Sequence, residues 1–324
     1  MTVGEELYKL VAELYPICRS ITGDGVRRTL EIVERELGGL EVSEVPTGTQ
    51  VLDWTVPREW NVRDAWVADA AGRRVIDFQA SNIHLVSYSV PVRATIGLAE
   101  LREHLFTLPD QPDWVPYRTS YYAERWGCCA SQRLVDGLPE GDYEVCVDTT
   151  LADGHLTYGE HLVEGRTDEE VLVSCHVCHP SLANDNLSGI AVATGLARRL
   201  AGSRPRYSYR FLFAPGTIGS ITWLARNQDR VDRIRHGLVL SGVGDPGGFT
   251  WKRSRRGDTG IDRAVAHVLG RSDRPHQVVD FSPYGYDERQ FCSPGFDLDV
   301  GLFQRSQFGT FPCLLYTSDA AAKA

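Results

Sequence analysis

The sequence predicts an α/β protein, a sheet with helices on both faces, into which a β-rich domain is inserted. Three observations predict it. From about Glu144 onward, short runs rich in β-branched and aromatic residues alternate with helical stretches, the pattern of strands connected by helices. Residues 51–130 have another texture, with clustered aromatic and β-branched residues and one brief helical stretch. The 324 residues are enough for one sizeable core plus a second unit.

Taken in order, the first 50 residues hold two helices. "GEELYKLVAEL" is amphipathic with acidic residues in its first turn, and "GDGVRRTLEIVERELGG" ends on glycines that suit a helix terminus. Both are expected to pack on the sheet of the later segment, as the N-terminal part of the main domain. In 51–130, "TVPREWNVRDAWVAD", "RRVIDF", "HLVSYSVPVRATI" and "DWVPYRTSYYAERWG" read as β structure around the helix "LAELREHLFT". In 131–312, the main domain, the strands are "YEVCVD", "EEVLVSCH", "SYRFLFAP", "HGLVLSGVG" and "HQVVDFSP". The helices between them are "LSGIAVATGLARRLAG", "SITWLARNQDRVDRI" and "GIDRAVAHVLG". Residues 313–324, "CLLYTSDAAAKA", read like a translated sequencing adaptor with a short tail. The natural chain is therefore expected to be cut near Pro312, and any ligand encoded downstream to be missing.

A net charge of −9 disfavours a nucleic-acid partner, because neutralising phosphates needs a basic face. The one basic cluster, "WKRSRRG" at Trp251–Gly257, reads as a solvated loop or as an anion-binding lip. No apolar run has the length of a bilayer span, so no membrane partner is expected. The start lacks the basic-then-apolar order of an export signal, which places the protein in the cytoplasm as an expectation. There the eight cysteines are expected as thiols. The expected partner is a small-molecule or peptide substrate.

The stretch "VLVSCHVCHPSLANDNLSG", Val171–Gly189, carries the chemistry. Cys175-His176-Val177-Cys178-His179 is formally a haem attachment string, but covalent haem needs an oxidising compartment, and the only methionine is Met1. A redox dithiol would sit at a helix start, whereas Pro180 puts a loop there. A structural zinc site would want a second Cys or His pair at close spacing, and none follows. Buried cysteines and hydrogen-bonded histidines in a strand-end loop are the plain alternative. The remaining reading is a catalytic metal site: a strand delivers His176 to its carboxyl end, and Asp185 lies in a turn that feeds a helix. Asn184 and Asn186 would supply supporting hydrogen bonds.

A strand ending in His, "NDNLSG" opening a helix, "RFLFAPGTIGS" and "SPYGYDERQFCSPGFDLDVGL" together resemble the zinc-aminopeptidase fold shared by bacterial leucyl aminopeptidases and glutaminyl cyclases. More closely, the chain resembles bacterial aminopeptidase-like proteins with a nested β-domain and, in full-length members, a winged-helix C-terminus. "PICRSITGDGVR", "DWTVPREWNVRDA", "TYGEHLVEG", "CHPSLANDNLSG" and "PGTIGSITWL" carry this resemblance from Leu7 to about Pro312. It implies a zinc-aminopeptidase-like sheet and a zinc cofactor, with three departures. Cys178 stands where an orienting Asp is expected. Gly216 and Thr217 stand where a glutamate pair belongs, and Ser241 where an acidic ligand belongs, with Asp245 a little further on. The family's late His would lie beyond the adaptor junction.

A single zinc is therefore expected, held by His176, Asp185 and a replacement. In "YGYDERQF", Asp287 would bind metal and Glu288 act as base, entering the cavity across from His176; Glu160 is a second candidate base, and the plain reading of "DERQ" is a helix N-terminus. His179 is the weaker ligand candidate because Pro180 turns the loop. The strand "HQVVDFSP" is expected beside the strand of Cys175. The resemblance implies an amide hydrolase for a small peptide-like or modified-sugar substrate, with cyclase-like transfer as a variant and a non-catalytic binding module as the rival.

Overall fold

The computed structural model describes residues 2–310 and the backbone of Tyr316 and Thr317; apart from those two, the tail read at 313–324 lies outside the described residues. The chain forms two compact units. One joins Met1–Pro57 with Gly154–Phe311, and the other is Arg58–Asp153, where Tyr316–Thr317 pairs with Val115–Pro116.

The first unit is built on an eight-stranded mixed sheet. Its strands are β1 (Glu41–Pro46), β2 (His155–Val163), β3 (Glu170–His176), β4 (Ser208–Ala214), β5 (Ile234–Leu240), β6 (Phe249–Lys252), β7 (His276–Val279) and β8 (Val300–Gln304). Their order across the sheet is β1-β2-β4-β3-β5-β8-β6-β7. The central run β4-β3-β5-β8 is parallel. Every residue of β3 is buried, which explains why "EVLVSCH" reads as a near-continuous apolar run rather than an alternating one.

Helices cover both faces. Helix α1 (Val3–Leu14) starts with a capping box between Thr2 and Glu5, and α2 (Asp24–Leu37) stops at Gly38, whose φ of 64° is glycine territory. With α3 (Ser188–Ala201) they bury Leu10, Leu14, Leu30, Val33, Ile190 and Ala193 against Val173, Cys175, Phe211 and Phe213. The opposite face receives α4 (Ile218–Arg226), where a Cβ on Gly219 would lie 2.8 Å from the Ala214 Cβ. Helix α5 (Gly260–Leu269) packs Ile261 and Leu269 on Trp251, and α6 (Glu288–Phe291) is a single turn.

The second unit holds a four-stranded antiparallel sheet in the order Arg74–Asp77, Glu59–Ala68, Asp142–Ala152, Val92–Gly97. "YEVCVD" belongs here, in the strand Asp142–Ala152, and not to the main sheet as its sequence suggested. Its alternating burial is that of a strand with one covered face. A second expectation also fails. "HQVVDFSP" contributes β7, the edge strand, with three strands between it and β3. No helix among the described residues is long and apolar enough to cross a membrane.

Candidate metal centre

Strand β3 lies between β4 and β5 and ends on His176 at the carboxyl edge of the sheet, where open α/β sheets build their sites. The turn Ala183–Leu187 then brings Asp185 back to it. His176 Nε2 and Asp185 Oδ1 lie 2.6 Å apart, with both side chains buried. His179 joins them, its Nε2 3.8 Å from Asp185 Oδ2 and its ring edge-on to His176 at 5.0 Å. One ligand atom from each of the three lies within 4.8 Å of the others. Two imidazoles and a carboxylate are donors that zinc takes, and these three residues fit that ion.

Long-range contacts hold the loop in place. Asn186 Nδ2 donates to the Leu240 carbonyl at 3.0 Å, and its Oδ1 accepts from Gly242 N at 3.2 Å. Asn184 accepts from Gly244 N at 2.8 Å and donates to Asp245 at 3.1 Å. The two asparagines thus tie the loop to the end of β5 rather than to Asp185. Arg19 Nε donates to the His179 carbonyl at 2.9 Å, and Ser181 Oγ to the Tyr15 carbonyl at 2.7 Å. This anchoring keeps His179 at the cluster although Pro180 follows it.

The charges are mutually supportive. Burial pushes the Asp185 carboxyl up, but the His179 and His176 charges and the His176 hydrogen bond outweigh it and leave the carboxyl below its usual range. Burial pulls His179 down, and the neighbouring Cys178 and Asp185 more than compensate, leaving it raised. Cys175 faces the apolar core, where burial foremost and the Asp287 charge second drive its thiol well above the ordinary value. Cys175 and Cys178 are therefore not a facing dithiol, and all seven described cysteines are free.

The remaining candidates go elsewhere. Asp287 is fully buried but outside the cluster; its Oδ1 accepts from Ser220 Oγ at 3.2 Å. Burial first, and the Glu288 charge second, raise its carboxyl to about 8. Asp287 is the N-cap residue of α6 and Glu288 lies in its first turn, so "DERQ" is the helix N-terminus of the plain reading, although the Asp287 side chain makes no cap hydrogen bond. Glu288 is buried in an ion pair with Lys252 and accepts from Tyr286 N at 3.0 Å, which removes it as a free base. Glu160 is bound by Arg210 at 3.0 Å, which also grips Glu170 at 2.6 Å, and it is not a member of the histidine cluster. Asp245 is taken up by Asn184, Gly247 and Ser306. The basic cluster is no anion lip either: Lys252 is spent on Glu288, and Arg255 and Arg256 clasp Asp297.

Tyr286 was not anticipated. Its ring stacks on His176 with centroids 3.7 Å apart, and its hydroxyl lies 3.4 Å from Cys178 Sγ, which in turn lies 3.4 Å from His179 Nδ1. A Cβ on Gly216 would come within 2.0 Å of that ring. The phenol thus fills the space next to Gly216, and a glycine where a carboxylate was expected was the available signal that another side chain stands there.

The family described as "Domain of unknown function (DUF4910)" matches residues 8–322. A Clostridium acetobutylicum protein, provisionally described as a polysaccharide biosynthesis protein with an aminopeptidase-like domain, is 51% identical over 306 residues, 94% of this chain and 70% of that protein. The crystal structure of a provisionally described peptidase from the same organism superposes with a TM-score of 0.94 at 49% identity, over 99% of this chain and 77% of that one. A zinc aminopeptidase from Bacillus subtilis shares the fold at 13% identity, TM-score 0.65, over 98% of this chain and 89% of that one. The chain belongs to the DUF4910 family and has the zinc-aminopeptidase fold with an additional β-rich unit.

Proposed function

We propose that this protein is a zinc-dependent hydrolase that cleaves an amide bond in a small peptide-like or modified-sugar substrate. The observation that carries the reading is the convergence of His176, His179 and Asp185 at the carboxyl end of β3. These three side chains would hold the ion. Zinc, when bound, polarises a carbonyl and makes its bound water acidic. Tyr286 lies against the cluster with its phenol proton retained, because burial first and the nearby Cys178 and Asp185 charges next push it well above the ordinary value. Its hydroxyl is therefore a hydrogen-bond donor for the substrate carbonyl oxygen. Asp185, held low by the two histidines, remains the one ionised carboxylate in the cluster.

One observation favours a second reading. Tyr286 fills the space at Gly216, and Lys252 neutralises Glu288, so no separate carboxylate base joins the cluster among the described residues. A non-catalytic module that keeps the metal for binding fits that arrangement. Incubating the zinc-loaded chain with a panel of aminoacyl amides and N-acyl amino sugars separates the two. Amine release that is lost in His176→Ala supports the hydrolase, and zinc retention without amine release across the panel supports the binding module.

A further inference from the structure

Four buried polar atoms, one of them on the candidate ligand His176, have no hydrogen-bond partner among the described residues: Ser174 Oγ, His176 Nδ1, Ser241 Oγ and Asp287 Oδ2. All four side chains belong to residues with 0% exposure. Strand register puts three of them on one face. Ser174 and His176 are alternate residues of β3 and point the same way. Cys175 pairs with Leu240 of β5, so Ser241, next in the chain, stands beside His176. His176 also pairs with Ala214 in parallel register, and α4 packs on that same face through Gly219. Asp287 is tied to the helix that covers this face. Its Oδ1 accepts from Ser220 of α4 at 3.2 Å, and the adjacent Tyr286 lies flat on the His176 ring.

Buried polar atoms left unsatisfied are costly, and several of them gathered in one layer are the usual setting of a shared ordered water. We propose that Asp287 is the carboxyl that orients His176, linked to His176 Nδ1 through one such water, which Ser174 and Ser241 also hold. The proposal rests on reading His176 as a metal ligand. When Nε2 gives its lone pair to a metal, Nδ1 carries the proton and needs an acceptor. Cys178, two residues after His176, does not supply one, since its sulfur is turned toward His179 Nδ1 and the Tyr286 hydroxyl. Asp287 thereby becomes a positioning residue that fixes the tautomer and angle of a ligand it does not touch.

The test uses the full chain and its Asp287→Ala and Asp287→Asn variants, each titrated with zinc against a chromogenic chelator. The 15Nδ1 resonance of His176 is recorded with and without the metal. Asp287→Ala is expected to weaken zinc binding by about 10–100-fold. Asp287→Asn, whose amide oxygen still accepts a hydrogen bond, should stay near the wild type, and the His176 resonance should move in the alanine variant. If Asp287→Ala does not fold, Ser241→Ala replaces it and should shift both readouts in the same direction. Wild-type affinity with an unmoved resonance in the alanine variant overturns the proposal, as do equal losses in the Ala and Asn variants. If the wild type binds no zinc, the metal reading fails while the orientation remains decidable: a His176 resonance that differs between zinc-free wild type and Asp287→Ala upholds it, and an identical one overturns it.

Discussion

Replacing Gly216 by alanine adds one methyl group, and the structure gives it nowhere to go. The new Cβ would stand 2.0 Å from Tyr286 Cε1, 2.5 Å from its hydroxyl oxygen and 2.6 Å from Cζ. Carbon atoms in contact prefer about 3.5–4.0 Å, so the ring would have to retreat by about 1.5 Å. It cannot retreat freely, because it is stacked on His176 at 3.7 Å and its backbone N–H is held by Glu288. Inserting a methylene-sized group into a packed site costs about 1–3 kcal/mol. Gly216 has no left-handed φ, and the three atoms nearest the new Cβ all belong to Tyr286, so the penalty is assigned to that ring. In a Tyr286→Ala background the same substitution should cost about 0.5 kcal/mol or less, giving a coupling energy of about 0.5–3 kcal/mol in the double-mutant cycle. Urea unfolding of the metal-free protein, followed by circular dichroism, reads all four corners. A cost for Gly216→Ala that is equal in both backgrounds would refute the claim that the phenol occupies the space of the expected carboxylate.

Further outcomes follow from the buried acids. The Asp287 carboxyl is raised from 3.8 to about 8, so unfolding releases its proton across that window and stability falls as pH rises through it. The slope is at most about 1.4 kcal/mol per pH unit. In the zinc-free protein, Asp287→Asn should therefore gain on the wild type as pH increases toward about 8, and a difference independent of pH contradicts the assignment. Lys252→Met leaves Glu288 buried without its cation and should cost about 3–5 kcal/mol, most of it recovered in Lys252→Met/Glu288→Gln. Failure of the second change to recover stability in chemical denaturation would show that Lys252 acts through the Ser282 and Tyr284 carbonyls it donates to, or through packing, rather than through Glu288. Arg19→Met should loosen the loop that carries His179 and lower zinc affinity, read by chelator competition; unchanged affinity would show that His179 is held without it.

Local features made much of this fold legible. The all-buried β3 was readable as a near-continuous apolar run, and the glycines after α2 marked its end. His176 and Asp185 were readable because a strand end and a turn only nine residues apart carry them. What failed depended on partners distant in sequence. Asp142–Ala152 has the same strand pattern in either sheet, and nothing local said which one it joins. The edge position of β7 is a matter of strand order, which periodicity does not encode. Asp287 and Glu288 look equivalent side by side, yet Ser220, 67 residues away, engages one and Lys252 the other. Glu160 resembled a free base until Arg210, 50 residues on, took it up. Pro180 argued against His179, and Arg19, 160 residues earlier, decides the matter by holding its carbonyl.

The claim on which the rest depends is that His176, His179 and Asp185 form one zinc site. Its most direct test is a zinc titration of the purified chain beside His176→Ala, His179→Ala and Asp185→Ala, with stoichiometry and affinity read by chelator competition. One zinc per wild-type chain is expected, with a loss of affinity of at least about 100-fold in each variant. Wild-type affinity in His179→Ala, or no zinc bound by the wild type, would contradict it.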